Sequence, residues 1–427
     1  MFVGLLIVYI HSMSKSHDVV IAGAGVAGLV AARHLEDAGR DVVIFDGADA
    51  AGGRMRTDRY NGYLLNRGFQ VLLTDYVELQ RYLDMSALRL HRFKPGARIY
   101  YPGGTFDAVD PLRERKYILR ALFSPIGNPI DKLKLLLLIN ELKKQEISDI
   151  FTDSSVSTAD YLKSSGFSDT ITERFFRPFF GGIFLENELQ TSSRMFRFVL
   201  KMFSSGWAAI PEDGIEAVPL QLKSALRHSV FEFNTSVQHI NGARDLVLSD
   251  GRKINFRKLI IAAYPEKILP ALTNENTRYR ETTNLYFAAP KSPLQSPLIA
   301  LNAYPDALIN NFCVLSDVAP SYTSTEEALI SVSIQRRHDL HDEALITMVL
   351  SELDSIFGIN TEDWKFLRRY TIRQALPVID DIQYDMQPGS CKVLDNIYLA
   401  GDYLLNPSLD AAMRSGRRAA EAVLREN

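Results

Sequence analysis

Near the amino end, Gly23-Ala24-Gly25-Val26-Ala27-Gly28 sets three glycines at the spacing that lets a chain wrap a pyrophosphate. Gly23 permits a tight turn, Gly25 lets the backbone approach a phosphate, and Gly28 lets a helix lie close on a strand. The start of that helix offers unpaired N–H groups and the positive end of a dipole. Asp46 follows eighteen residues after Gly28, placed to accept hydrogen bonds from the hydroxyl pair of a ribose. Phosphate and ribose together make a dinucleotide site.

The flanking elements must hold those groups in place. Asp18 to Ala22 is a short β-rich apolar run that reads as a buried strand. Leu29 to Ala38 reads as the helix, Gly39 as its C-cap, and Asp41 to Phe45 as a second strand ending at the acid. Glycine-rich turns are common, so the pattern gains its meaning from this complete strand–turn–helix–strand–acid unit. A second glycine pair, Gly52-Gly53, leads into Arg54 and Arg56, whose guanidinium groups could fork onto pyrophosphate oxygens. Near the far end Asn396 to Ala400 reads as a strand closing in Gly401-Asp402, and Pro407-Ser408 opens a helix rich in small residues.

Composition narrows the class. The chain has 427 residues, 46% hydrophobic and 23% charged, which excludes a disordered, collagen-like or polytopic membrane protein and predicts two domains. Its net charge is 48 − 51 = −3, so no basic field points to nucleic acid. Two cysteines, Cys313 and Cys391, permit at most one disulfide, which excludes a disulfide-built secreted fold and favours a reducing, cytoplasmic setting. No Cys/His cluster has zinc spacing, and His338 with His341 reads as a surface pair. Phe2 to Ile10 is apolar but too short to cross a bilayer and lacks the marks of a signal peptide. The expectation is an upstream start codon, with Met13 the natural beginning.

These motifs together resemble the flavin amine oxidase and phytoene desaturase superfamily, which also holds protoporphyrinogen oxidases and carotenoid isomerases. The resemblance covers most of the chain, with Pro211-Glu212-Asp213-Gly214-Ile215 matching the return from substrate domain to cofactor domain. It implies an α/β fold: an FAD-binding Rossmann-type, glutathione-reductase-like domain over 13–83, 211–270 and 391–427. An interleaved α+β substrate domain of amine-oxidase type takes 84–210 and 271–390. It further implies that Asp402 binds the ribityl chain, that N–H groups near Ala412 and Met413 face the flavin pyrimidine edge, and that the Val237 backbone meets adenine. Gly68-Phe69-Gln70 is similar to a stretch of plant-type carotenoid desaturases that passes beside the flavin, where histidine often holds the Gln70 position. Gln70 reads equally as a structural glutamine. The family usually has glutamate at Asp46 and Arg or Lys at Ala48, and Asn66 holds a frequent aspartate position. Cys391 lies ten residues before Gly401, too close to match the family's flavin-linking cysteine, so the resemblance implies non-covalent FAD.

The substrate half is expected to be helical over Arg115–Phe123, Asp131–Lys144, Thr158–Ser164, Ile171–Phe180 and Ser192–Phe203. Strands are expected around Thr283–Ala288, Phe312–Ser316, Leu329–Ile334 and Tyr370, with a helix over Leu340–Phe357. Arg174-Phe175-Phe176-Arg177-Pro178-Phe179-Phe180-Gly181-Gly182-Ile183-Phe184 resembles the family's substrate-domain signature, and its aromatics suit an apolar tunnel, although most should be core. Leu133 to Ile139, flanked by Lys132, Lys134, Lys143 and Lys144, reads first as a core helix and second as a peripheral membrane contact.

Three functions follow. The first is an FAD-dependent oxidoreductase removing hydride from a small apolar substrate of isoprenoid or tetrapyrrole type, with O2 or a quinone-like acceptor. The second is an amine oxidase; such enzymes frame the amine between aromatics, and that place falls at Ser408, with Tyr403 the nearest ring. The third is a flavin-dependent isomerase or a flavoprotein without turnover. In each the chemistry resides in the cofactor, so no dedicated acid or base is named. Substrate identity and oligomeric state are left open.

Overall fold

The computed structural model describes residues 16–110, 113–114, 116, 123–270, 278–335 and 338–426. The apolar run at 2–10, Met13 and nearly all of the helix expected over 115–123 lie outside the described residues.

One sheet is built from both ends and the middle of the chain. Its parallel core runs β10 (Val230–Glu232), β2 (Val42–Phe45), β1 (Ser16–Ala22), β13 (Lys253–Ile261) and β20 (Ile397–Leu399). A meander of β11 (Val237–Asn241) and β12 (Asp245–Leu248) continues antiparallel from β13, and β19 (Lys392–Leu394) pairs with β20. Gly251, at φ +86, makes the Asp250-Gly251 turn. Val19, Val20 and Ile21 are wholly buried, as a central parallel strand covered on both faces requires.

Helix α1 (Val26–Asp37) covers one face of this sheet. It begins at Val26 rather than Leu29, because extended Gly25 serves as N-cap and its carbonyl accepts from the Leu29 N–H at 2.9 Å. Gly39 closes it with φ +74. Beside α1 lies the carboxy-terminal helix, which we call α7 (Leu409–Arg425). A Cβ on Gly416 would fall 2.1 Å from the Ala27 carbonyl oxygen, so the two helices touch backbone to backbone.

A second, seven-stranded sheet runs β18 (Lys365–Pro377), β14 (Tyr279–Ala289), β17 (Ala328–Ile334), β16 (Ile309–Val314), β15 (Ile299–Asn302), β7 (Gly96–Tyr101) and β8 (Gly104–Val109). The β7–β8 hairpin departs from the mostly helical reading of the first insertion. Helix α6 (Asp342–Ser355) buries Leu345, Val349 and Leu353 against one face of the sheet. The opposite face meets the hairpin of β3 (Thr57–Tyr60) and β4 (Tyr63–Asn66), where the Tyr286 hydroxyl donates to the Asn66 carbonyl at 2.8 Å. A small sheet of β5 (Leu72–Leu73), β9 (Ala208–Pro211) and β6 (Leu90–Arg92) joins the halves.

The helical part of the substrate half includes α2 (Val77–Tyr82), α3 (Pro129–Lys144), α4 (Arg177–Phe184) and α5 (Ser193–Ser205). The helix expected over Ile171–Phe180 is interrupted: a π-turn at Thr172–Phe176 precedes α4, which runs on to Phe184. Strand β16 ends at Val314, and a short helix, Leu315–Val318, takes over the end of the strand expected to reach Ser316.

Candidate cofactor site

The three glycines of the first turn have three different surroundings. Gly23 has φ +114, and a Cβ there would stand 2.8 Å from the Ala262 carbonyl oxygen. A Cβ on Gly28 would fall 2.0 Å from the Gly23 oxygen. Turn geometry and packing therefore demand glycine at both positions. Gly25 has an ordinary φ of −74, and its added Cβ would meet only the Gly53 Cα, at 3.9 Å. Nothing in the protein requires glycine at 25, but a phosphate laid over the start of α1 does. The N–H groups of Val26, Ala27 and Gly28 belong to the first helical turn, which lacks intrahelical acceptors. This cradle fits a dinucleotide pyrophosphate.

Asp46 closes β2, with its carboxylate accepting from the N–H groups of Ala24 at 2.6 Å and Ala48 at 2.8 Å. Each carboxylate oxygen keeps lone-pair capacity for a ribose hydroxyl. The same loop anchors the strand return, because Asn234 N–H donates to Ala48 O at 2.8 Å and Thr235 N–H to Asp46 O at 2.9 Å. Val237 is thereby brought to the acid, its side chain buried with Phe45 and Val20.

Gly52 N–H donates to Ala24 O at 3.0 Å, and a Cβ on Gly53 would lie 3.3 Å from the Gly25 Cα, so the two glycine segments face one another. Arg54 departs from expectation. Its guanidinium lies 2.7 Å from the Asp402 carboxylate and donates to the Ala375 carbonyl at 2.9 Å. Burial opposes the charge of Arg54, but Asp402 outweighs it and the pKa is raised. Arg56 points away, onto Asp49 at 2.9 Å.

Gly401 is pinned beneath an aromatic ring, since a Cβ there would stand 2.2 Å from Tyr403 Cε1, and its N–H donates to Ser415 Oγ at 2.9 Å. Ser408 caps α7: its hydroxyl accepts from Ala411 N–H at 3.1 Å and its carbonyl from Ala412 N–H at 3.1 Å. The expected flavin-facing donors therefore shift. Ala412 N–H is engaged within the helix and Met413 is deeper in it, so the donors without an intrahelical acceptor by position are those of Leu409 and Asp410.

The 68–70 stretch is also more structural than expected. A Cβ on Gly68, at φ +98, would approach Ile372 Cδ1 to 3.2 Å, and Phe69 packs edge-on against Phe93. The Gln70 amide donates to the Arg54 carbonyl at 2.9 Å and the Arg67 carbonyl at 3.3 Å, holding the Arg54 loop.

Two groupings escaped the sequence reading. Around Arg54 and Asp402 stand Tyr264, Glu266, Tyr279 and Tyr403, with the Tyr279 and Tyr403 hydroxyls and Glu266 Oε2 buried and without a hydrogen-bond partner among the described residues. Burial raises the Tyr403 phenol well above its ordinary value. Orphaned polar atoms beside the Gly-Asp turn suit a polar ligand there. The only forward signal was position, as Tyr264 and Tyr403 each follow a buried strand of the cofactor sheet. The second grouping is ionic. Glu78 of α2, fully buried, meets Arg414 at 3.1 Å and Arg417 at 2.8 Å, and Asp410 meets Arg414 at 3.0 Å. It clamps α2 to α7.

Most of the aromatics of the 174–184 signature are core, as expected, while Phe175 and Phe179 are only partly buried. Phe176, Phe180 and Phe184 are fully buried, with Phe180 and Phe196 rings 4.6 Å apart. A cavity of about 640 Å³ lies at the end of the second sheet, lined by polar groups including Tyr279, Glu281, Gln335, His338 and Arg373. His341 is exposed and His338 part-buried, its two ring nitrogens buried and unpartnered among the described residues, and burial lowers the pKa of the ring. Cys313 and Cys391 are both free and buried, and burial pushes the Cys391 thiol up to about 12. Among the described residues no group could hold a metal ion, and no helix is long and apolar enough to cross a membrane.

Comparison with known proteins agrees with this geometry. The chain is 21% identical to the 15-cis-phytoene desaturase of Solanum lycopersicum across 97% of its own length and 78% of that protein's. Against putrescine oxidase of Kocuria rosea it is 40% identical over 90 residues, covering 21% of this chain and only about a fifth, 19%, of that relative. The crystal structure of an oxidoreductase from Methanosarcina mazei superposes with a TM-score of 0.72 at 18% identity, covering 96% of this chain and all of that one, a likeness of fold. The family described as flavin containing amine oxidoreductase matches residues 26–424. With the family match running over residues 26–424 and the glycine-rich cradle assembled, the protein belongs to the flavin containing amine oxidoreductases.

Proposed function

We propose that the chain holds FAD non-covalently and dehydrogenates an apolar substrate, in the manner of a desaturase. When bound, FAD supplies two-electron chemistry by accepting a hydride. The residues would supply position: the start of α1 would take the pyrophosphate, Asp46 the ribose, and Asp402, paired with Arg54, the ribityl chain. The start of α7 carries the positive end of a helix dipole and would stabilise negative charge on a flavin held beside it. The neutral Cys391 thiol is unsuited to a covalent link.

One observation supports the desaturase reading: the sequence match to the phytoene desaturase runs through cofactor and substrate halves alike, whereas the sequence match to putrescine oxidase is confined to 90 residues, although the fold of putrescine oxidase superposes over 96% of this chain. Ser408, a buried helix cap, supports it by occupying the place where an amine oxidase presents an aromatic ring. A second reading, oxidation of an amino-bearing substrate, is favoured by the 40% identity with putrescine oxidase over 90 residues.

Reoxidation separates the two. The protein is photoreduced without oxygen, mixed with aerated buffer, and followed by flavin absorbance, with parallel anaerobic additions of 15-cis-phytoene in micelles and of putrescine. Slow recovery in air with bleaching by phytoene is expected. Rapid recovery with bleaching by putrescine overturns the desaturase reading and establishes the second.

A further inference from the structure

Helix α3 is amphipathic in an unusual sense. An Asn128–Asp131 capping box and Pro129 start it, and Leu138 and Leu142 bury its inner side near α5. Its outer side is apolar as well: Ile130, Leu133, Leu136 and Leu137 are 63%, 57%, 42% and 59% exposed, at the spacing of one helical face. Phe123, just before the helix, is 87% exposed. Twelve large apolar side chains are exposed among the described residues, and five of them lie between Phe123 and Leu137. That is a patch rather than scatter.

The flanks of this face are basic. Lys132 and Lys134, the latter donating to the Gly166 carbonyl, border it near the start, and Lys143 and Lys144 are exposed at its end, against the exposed carboxylates of Glu141 within the helix and Glu146 just beyond it. Lys132 Nζ donates to the Ser124 carbonyl at 2.8 Å, which lays its stem along the helix. An apolar stripe rimmed by ammonium groups matches the boundary between acyl chains and anionic headgroups. A protein partner of ordinary composition has no need of that rim.

We propose that the outer face of α3, with Phe123, docks the protein on a bilayer containing anionic lipid. The contact lies in the interface plane, since no described helix could cross. It deepens the desaturase reading and rests on it for its purpose, because an apolar substrate dissolved in lipid is met from this face; the contact itself needs only the surface.

The test is co-sedimentation of the full-length holoprotein with vesicles of phosphatidylcholine alone and of phosphatidylcholine mixed with phosphatidylglycerol. The protein is expected to sediment with the mixed vesicles. The Leu133→Glu/Leu137→Glu variant should lose that binding about tenfold or more, and Lys143→Glu/Lys144→Glu should lose the preference for anionic lipid. Both pairs are exposed, so flavin content and melting temperature should match the parent. A parent that stays in the supernatant, or a leucine variant that sediments equally well, overturns the proposal. So does light scattering that finds a dimer in the parent and a monomer in the leucine variant without vesicle binding, which assigns the face to a second copy. Failure of phytoene to bleach the flavin, with sedimentation intact, defeats the desaturase reading and leaves the docking surface standing.

Discussion

Arg54 and Asp402, from opposite ends of the chain, meet at 2.7 Å beside the Gly-Asp turn. Asp402 is nearly buried and Arg54 about a third exposed, so the ion pair fixes where the Asp402 carboxylate stands in the proposed site. Asp402→Ala should leave the fold intact and weaken FAD binding about tenfold to a hundredfold, the worth of one hydrogen bond involving a charged group. Fluorescence titration of the apoprotein checks this. An unchanged affinity would remove Asp402 from the site.

The three glycines should separate by mechanism. Gly25→Val is expected to give a folded apoprotein of unchanged melting temperature that cannot take up FAD, because the new side chain enters the pyrophosphate's place. Gly28→Ala should instead destabilise the fold by about 1–3 kcal/mol or more, since its Cβ collides with the Gly23 carbonyl. Thermal melts of both apoproteins, read beside flavin content, distinguish the effects.

Glu78→Ala leaves Arg414 without one carboxylate partner and Arg417 without its buried one. Truncating one member of a buried ion cluster costs about 3–5 kcal/mol, so a large drop in denaturation midpoint is expected. A loss below about 1 kcal/mol would mean that the cluster does not clamp α2 to α7.

Glu426 holds the end of α7 to the cofactor sheet. Hydrogen bonds from Lys258, Lys392 and Tyr398 lower its carboxyl from an ordinary 4.5 to about 2. A depressed acid stabilises the fold above its unfolded pKa, and that contribution fades as pH falls from about 4.5 to about 2. Melting temperatures of the parent and Glu426→Gln should therefore differ modestly at neutral pH and converge in that window. A constant gap down to pH ~2 would remove the carboxylate from the account.

What the sequence made legible was local. The turn at Gly23, the cap at Gly39 and the C-terminal strand-and-helix pair depend on residues a few positions apart, and the structure has them within a few residues of the expected bounds. Long-range contacts were not legible. That Gly416 serves the approach to Ala27, that Arg54 turns to Asp402, and that Glu78 meets Arg414 and Arg417 are facts of packing between segments distant in sequence. The β7–β8 hairpin was missed because its short strands gain their pairing from β15, far along the chain. The aromatics of the 174–184 signature were legible as mostly core, as Phe176, Phe180 and Phe184 are, but that Phe175 and Phe179 stay only partly buried is set by packing that aromaticity alone does not show.

The central claim, a non-covalent FAD held over the Gly25 cradle, is tested most directly by the flavin itself. The purified protein, loaded with FAD and then denatured with acid, should release stoichiometric FAD into the supernatant with a colourless pellet, while Gly25→Val treated alike should carry none. A parent that cannot be loaded, a yellow pellet, or a Gly25→Val variant with full flavin content would contradict it.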